Sequence, residues 1–188
     1  PRNYKKRIVT FMQKALLSVC LITYKQEEYI QKAIENVFNQ EVNFHIEFVI
    51  SNDCSPDNTH EKIENAIKIA PENFTIKYFN HEKNLGPLAN FSFAINQCQG
   101  KYIAYFEGDD YWDYPKKLQT QVDFLEQNPE FAICCHNVRF LEKGKIIDKI
   151  YLDKIDIKSE STIEDLARHN TVPTLTAVFR NKKKKLPS

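Results

Sequence analysis

Residues 16–22 are apolar at six of seven positions, interrupted only by Ser18. A short apolar run of this kind between polar residues is the pattern of a strand covered on both faces, as in a parallel sheet. The period then changes. Ile30, Ala33, Ile34, Val37 and Phe38 recur at helical spacing and predict a helix over residues 28–39 with one apolar stripe. Residues 46–50 predict a second strand. Ile63, Ala66, Ile67 and Ala70 predict a second helix over residues 59–70, stopped by Pro71. A third strand over 75–79, a third helix over 88–98 and a fourth strand over 102–106 continue the alternation. Gly100 stands where the C-terminal cap of the third helix favours glycine. A fourth helix over 116–128 ends before Pro129, and residues 131–140 form one further strand region.

Strands alternating with helices imply an α/β domain with a mainly parallel sheet and right-handed crossovers. In such sheets ligands bind beyond the carboxyl ends of the strands. That rule selects Thr23-Tyr24 after the first strand, residues 51–58 after the second and Glu107-Gly108-Asp109-Asp110 after the fourth. Two of these three places are acidic.

Composition narrows the class. A chain of 188 residues suits one domain, and 42% hydrophobic residues suffice for a core. A formal net charge of +1 gives no general attraction to nucleic acid. Five cysteines without a Cys-x-x-Cys pair read as buried, reduced thiols rather than a zinc site. No apolar run reaches the roughly 18–20 residues of a membrane-spanning helix. The apolar run before Tyr24 lacks the small-residue cleavage site of a signal peptide. The chain therefore reads as cytoplasmic, with room for peripheral work at the inner face of the plasma membrane. Residues 1–14, with Arg2, Lys5, Lys6, Arg7 and Lys14, form a basic arm with no assigned function. Residues 15–188 read as one domain.

Chemistry concentrates at the strand ends. Three carboxylates within four residues after a buried strand repel one another, and oxygen-rich clusters of this type suit hard divalent cations. Mg2+ or Mn2+ there would bridge one or two carboxylates and a substrate diphosphate. Asp53 directly follows the second strand, where its carboxylate can accept from a base N–H or a ribose hydroxyl. The following Ser55-Pro56-Asp57-Asn58-Thr59 is turn and capping chemistry. Gly86 in Asn84-Leu85-Gly86 permits a positive-φ turn. Neither G-x-G-x-x-G nor a Walker sequence occurs, so phosphates must be held otherwise. The five histidines are scattered, and no nucleophile-elbow serine or Cys/His pairing points to covalent catalysis.

Together these segments resemble the family 2 glycosyltransferases of the GT-A fold. Ser18-Val19-Cys20-Leu21-Ile22-Thr23-Tyr24 resembles the first-strand motif S-V-I-I-P-T-Y-N, with Ile22 where proline is common and Lys25 where asparagine is. Asn52-Asp53-Cys54-Ser55-Pro56-Asp57-Asn58-Thr59 resembles D-D-G-S-T-D-N-T, with Asn52 in place of the first Asp. Asn84-Leu85-Gly86 resembles the N-x-G turn. Glu107-Gly108-Asp109-Asp110 resembles D-x-D-D, with Glu107 in place of the first Asp, and its continuation through Tyr111-Trp112 to Lys117-Leu118 is similar to a bacterial branch.

The resemblance implies a GT-A (Rossmann-like) three-layer α/β/α sandwich. It implies donor binding by Ile22, Thr23, Tyr24, Asp53, Asn84, Gly86, Gly108 and Asp109, with Asp53 on the base. Asp110, aided by Asp109, would hold Mn2+ or Mg2+. The implied reaction is inverting transfer from a nucleotide-diphosphate sugar, of which UDP-sugar is commonest, to a saccharide or lipid-linked acceptor in cell-surface polysaccharide synthesis. In similar sequences the aspartate base follows a segment like residues 171–180, and no Asp occurs here after Asp165. The expectation is a chain truncated before its base, which would lie beyond Ser188. The alternative is a GT-A-like module that holds nucleotide without transferring sugar.

Overall fold

The structure is a computed structural model that describes residues 15–142, 145–150 and 160–182. The basic arm over residues 1–14 and the chain after residue 182 lie outside the described residues.

The predicted alternation is present: β1 Leu17–Thr23, α1 Ile30–Phe38, β2 Ile46–Asn52, α2 Thr59–Ile67, β3 Phe74–Asn80, α3 Pro87–Gln97, β4 Tyr102–Glu107 and α4 Lys117–Gln127. Beyond it come β5 Ile133–Cys134, β6 Arg139–Glu142, β7 Lys145–Ile150, α5 Ile163–Arg168, a 3-10 turn Thr174–Thr176 and β8 Val178–Arg180. The central sheet has the order β3-β2-β1-β4-β8-β5. Its first four strands are parallel, and β8 runs antiparallel between β4 and β5. Strands β6 and β7 pair separately as a hairpin.

Burial explains why the run at residues 16–22 is apolar at all positions but Ser18. Leu17, Val19 and Leu21 of β1 pack with Ile30, Ile34 and Val37 of α1, with Ile63 of α2 and with Leu118 and Val122 of α4. The intervening Cys20 packs on the opposite face with Val49, Ala94 of α3, Ile103 and Tyr105. Alternate residues of each central strand thus feed two helical layers, giving the three-layer α/β/α sandwich. Each fully buried Leu, Ile, Val or Phe contributes roughly 1.5–3 kcal/mol through removal of apolar surface from water.

Several boundaries differ from expectation for local reasons. Helix α1 begins at Ile30 rather than near residue 28, because the Gln26 carbonyl accepts from Tyr29 N and Ile30 N in a turn (3.0 and 2.9 Å). Helix α2 ends at Ile67, ahead of residue 70; Pro71 disfavours helical geometry in the residue before it. The single strand region expected over 131–140 divides into β5 in the main sheet and β6 in the hairpin. Gly100 is not a helix cap, since Cys98 occupies that place in extended geometry. A Cβ on Gly100 would instead lie 2.5 Å from Ser18 N, so glycine lets the chain cross the start of β1. All five cysteines are free. Only Cys20 and Cys98 are buried; Cys135, beyond the short edge strand β5, is exposed, so the buried-thiol expectation fails for most of them. Among the described residues, no helix is long and apolar enough to cross a membrane.

Candidate functional site

The carboxyl ends of β1, β2 and β4 lie side by side. Ile22 is level with Ser51 of β2 and Glu107 of β4, and Thr23 with Asn52. Beyond the ladders the contacts continue. Gly108 N donates to the Ile22 carbonyl (3.2 Å) and Asp53 N to the Thr23 carbonyl (2.9 Å). The acidic loop and the Asp53 loop are therefore held on either side of the end of β1.

Two glycines make this possible for different reasons. A Cβ on Gly108 would lie 2.5 Å from Gln26 Oε1, 2.8 Å from Thr23 Oγ1 and 3.0 Å from Ile30 Cδ1. The absence of a side chain lets the acidic loop pass over the turn between β1 and α1. Gly86 has open space around its missing Cβ, but its φ is +84°, in the region that favours glycine. Pro87 follows at the first turn of α3, where its missing N–H costs nothing.

Asp53 sits at the junction. It is buried, and its two carboxylate oxygens accept from Leu85 N (2.7 Å) and Gly86 N (3.0 Å). Asn84 Nδ2 donates to the Asp53 carbonyl at 3.1 Å. The motif at Asn84–Gly86 and the motif at Asp53 are thus one construction, with Asp53 as its latch. Sequence reasoning assigned Asp53 to a nucleobase and missed this role, because its partners lie more than thirty residues away.

The turn after β1 is stapled to the loop after β2. Lys25 N donates to Ser55 Oγ (3.0 Å), Gln26 N to Thr59 Oγ1 (3.0 Å) and Asn58 N to Glu27 Oε2 (2.9 Å). Thr23 Oγ1 donates to Gln26 Oε1 at 2.7 Å. Gln26 and Glu27 carry no local motif and were missed. Lys25 and Cys54 hold positive φ of 56° and 59°, an uncommon conformation for side-chain-bearing residues at the mouth of the site. Tyr24 is partly exposed, with the Lys25 ammonium 5.2 Å from its ring centre.

In the acidic loop, Asp110 N donates to the Glu107 carbonyl (3.1 Å) and closes a tight turn. Glu107 and Asp109 are exposed, and Glu107 accepts from Tyr105 Oη at 3.1 Å. Asp110 is half-buried. Burial, then the Asp109 and Glu107 charges, push its carboxyl up to about 7. Among the described residues, none of these three carboxylates takes part in an ion pair. The loop thus holds negative charge that the protein leaves uncompensated.

The floor beneath the loop is rigid. Trp112 is buried against Phe106, with ring centres 4.5 Å apart, and its Nε1 donates to the Leu175 carbonyl (2.9 Å). Lys117 Nζ lies 4.3 Å from the Trp112 ring centre and donates to Gln121 Oε1 (2.8 Å). Burial drives the Lys117 ammonium down to about 7. Gln121 Nε2 in turn donates to the carbonyls of Cys134 (2.9 Å) and Thr176 (2.8 Å). Trp112, Lys117 and Gln121 bind the acidic loop to the segment around residue 175.

The sequence model of the family described as Glycosyl transferase family 2 matches residues 18–185. This chain belongs to glycosyltransferase family 2. Within the family and beyond, it is 32% identical over 164 residues to an uncharacterised protein of Mycobacterium tuberculosis, covering 87% of this chain and 46% of that protein. It is 33% identical over 151 residues to an uncharacterised glycosyltransferase of Methanocaldococcus jannaschii, covering 78% of this chain and 50% of that one. The chain spans about half the length of these relatives. Among solved structures, TarS of S. aureus in complex with UDP-GlcNAc superposes with a TM-score of 0.62 at 21% identity, covering 87% of this chain and 45% of TarS. The mannosyltransferase PcManGT of Pyrobaculum calidifontis, in complex with GDP-Man and Mn2+, gives 0.60 at 17% identity, covering 68% and 37%. These likenesses establish the GT-A fold for this family 2 chain.

Proposed function

We propose that this domain binds a nucleoside-diphosphate sugar, with UDP as the first candidate, and transfers its sugar with inversion to a saccharide or lipid-linked acceptor. The observation that carries the reading is the stitching of three loops around Thr23: Gly108 on one side, Asp53 on the other, and Asn84–Gly86 latched to Asp53. Ile22, Thr23, Tyr24, Asn84 and Gly86 form the wall for base and ribose, and Gly108 and Asp109 face the ribose and diphosphate. Asp53 would reach the base only through lone pairs left over from its two backbone hydrogen bonds, so its first contribution is to hold the wall.

The donor set fits Mg2+ or Mn2+. Among the described residues, no three His, Cys, Asp or Glu side chains converge into a closed cage. Such a cage is unnecessary, because these ions commonly take one or two carboxylates and complete their shell with waters and substrate phosphates. Asp110 and Asp109 supply that pair, and their unpaired charge is what a cation would neutralise. When bound, the ion stabilises the negative charge that develops on the departing diphosphate. The protein's own part is to hold both carboxylates on a rigid loop, with Trp112 fixed beneath, and to orient the donor along the ends of β1 and β2. Deprotonation of the acceptor hydroxyl needs a base on the opposite face of the sugar. We assign that base to no described residue.

The comparisons lend support in kind. TarS is described with UDP-GlcNAc, PcManGT with GDP-Man and Mn2+, and a Bacillus subtilis relative at 28% identity, TuaG, is named as a candidate glycosyltransferase of teichuronic acid biosynthesis. A cell-surface polysaccharide acceptor at the cytoplasmic face of the membrane is consistent with these. Calorimetric titration with UDP and with GDP, each with and without Mn2+, tests the reading. It stands if one nucleotide binds in a metal-dependent manner and Asp110→Ala abolishes that dependence. Binding indifferent to both metal and Asp110 would remove the assigned site.

A further inference from the structure

The edge of the sheet opposite the acidic loop is where the chain's two basic segments join the fold. Leu16 and Asn181 flank the start of β4. The Leu16 carbonyl accepts from Tyr102 N (3.1 Å), and Asn181 N donates to the Lys101 carbonyl (2.9 Å). They belong to the strands on either side of β4, so they stand two strand spacings apart, about 10 Å. The segment before residue 15 carries Arg2, Lys5, Lys6, Arg7 and Lys14, and Asn181 is followed by Lys182-Lys183-Lys184-Lys185. Neither residues 1–14 nor residues 181–188 include an acidic residue.

Nine of the 26 basic residues thus enter at one edge. The other 17 stand against 25 acidic residues, which leaves −8 on the rest of the chain. The formal net charge of +1 is the sum of a positive pole and a negative body. Lys101 adds nothing to the pole, because Glu126 pairs with it at 2.7 Å. Exposed Glu41, Glu72 and Glu130 precede β2, β3 and β5, and three carboxylates cannot neutralise nine cations. The acidic loop stands at the far end of β4, about 20 Å away at roughly 3.3 Å per residue.

Such a division of charge selects a partner. A bilayer of anionic lipid attracts clustered Lys and Arg and repels the negative body, so it binds the chain in one orientation. Tyr4, Ile8, Val9, Phe11 and Met12 are interleaved with the cations of the first segment. Apolar residues in that company bury at the boundary between headgroups and acyl chains, whereas the phosphate backbone of a nucleic-acid duplex is held by charge. We propose that this edge docks the chain on an anionic membrane, with β4 pointing its acidic end away from the lipid. At about 20 Å, Glu107, Asp109 and Asp110 stand beyond the roughly 8–10 Å over which the lipid charge is felt. The docking involves no nucleotide, so it stands or falls separately from the proposed transfer reaction.

The test is sedimentation of the whole chain with vesicles of phosphatidylcholine alone and of phosphatidylcholine mixed equally with phosphatidylglycerol. Binding is expected to the mixed vesicles only, and to be lost in about 1 M salt, where charge is screened within roughly 3 Å. Lys182→Gln, Lys183→Gln, Lys184→Gln and Lys185→Gln together should weaken it at least about tenfold, since one cation near such a surface is worth about fivefold. Arg2→Gln, Lys5→Gln, Lys6→Gln and Arg7→Gln together should do the same. Trp112, the only tryptophan, reports the orientation. It lies beneath the acidic loop, so brominated lipid chains should leave its fluorescence undiminished in the bound chain. Equal binding to both kinds of vesicle, no binding to the mixed ones, binding that survives both sets of substitutions, or quenching of Trp112 would each overturn the proposal. So would a DNA duplex that binds at the same salt while the mixed vesicles do not, which would give the basic pole to nucleic acid instead.

Discussion

Asp53 and Gly86 lie 33 residues apart in the chain, yet the Gly86 N–H donates to Asp53 Oδ2 at 3.0 Å beside the 2.7 Å bond from Leu85 N to Oδ1. One buried carboxylate thus closes the loop before α3 onto the end of β2. Asp53→Asn turns an NH2 group toward one of these backbone donors. It should cost about 2 kcal/mol in a denaturant titration and weaken UDP binding in parallel. Gly86→Ala keeps the latch but places a side chain at φ +84° and ψ 159°, a region nearly confined to glycine, at about 1–3 kcal/mol.

Gly108→Ala places a methyl group inside the contact distance of Gln26 and Thr23. Either these side-chain tips or the acidic loop must shift, so nucleotide binding should fall about tenfold, the equivalent of about 1.4 kcal/mol. The nearest obstacle is the tip of the Gln26 side chain. Gly108→Ala combined with Gln26→Ala should therefore recover part of the lost affinity in calorimetry, whereas Gln26→Ala alone should not improve it.

Asp110 carries a pH signature. Burial, Asp109 and Glu107 raise its folded-state pKa to about 7, above the usual carboxylate value near 3.9. The folded state then binds more protons than the unfolded state between these limits, so this group's contribution to stability declines as pH rises from about 4 to 7. In metal-free protein, Asp110→Asn should stabilise by on the order of 1–2 kcal/mol at pH 8, after allowance for partial solvent screening, and by much less at pH 4. Thermal melts at the two pH values read this directly. Divalent-metal affinity of the unmodified chain should fall as pH drops below about 7.

Lys117 has the opposite dependence. Burial lowers its ammonium to about 7 from the usual value near 10.4. The unfolded state binds the extra proton in that window, so the cost of burying this cation is complete below pH 7 and disappears toward pH 10. Lys117→Met removes the charge and keeps the length. Its melting temperature relative to the parent chain should be higher at pH 6 than at pH 10, and an equal difference at both would refute the assignment.

Cys54 occupies left-handed backbone with φ 59°, where the family motif carries glycine. The strain there is about 1–2 kcal/mol, partly offset by the entropy that glycine loses on folding. Cys54→Gly should stabilise the chain by about 0.5–1 kcal/mol in urea without loss of UDP binding.

These residues also mark what could be read from the chain alone. Strands β1, β2 and β4 were legible because burial on both faces writes a nearly continuous apolar run, broken in β1 by Ser18 and in β2 by Glu47. The stripe on α1 was legible because one helical face meets the sheet. The acidic loop was legible as a site because carboxylates follow a buried strand. The function of Asp53 as a latch was not, since no local window contains both a carboxylate and two backbone donors 32 and 33 residues ahead. Residues 131–140 were read as one strand because hydrophobicity marks strand character but not which sheet a strand joins.

The central claim is that a divalent ion and a nucleotide meet at the loop over Gly108, Asp109 and Asp110. Paramagnetic broadening by Mn2+ in the amide spectrum of the labelled chain tests it most directly. With UDP present, substoichiometric Mn2+ should erase the signals of Thr23, Gly108, Asp109 and Asp110, leave those of Ile46 and Phe74 at the opposite ends of β2 and β3 sharp, and lose this pattern in Asp110→Asn. Sharp signals around Gly108, or broadening centred on another face of the sheet, would contradict the account.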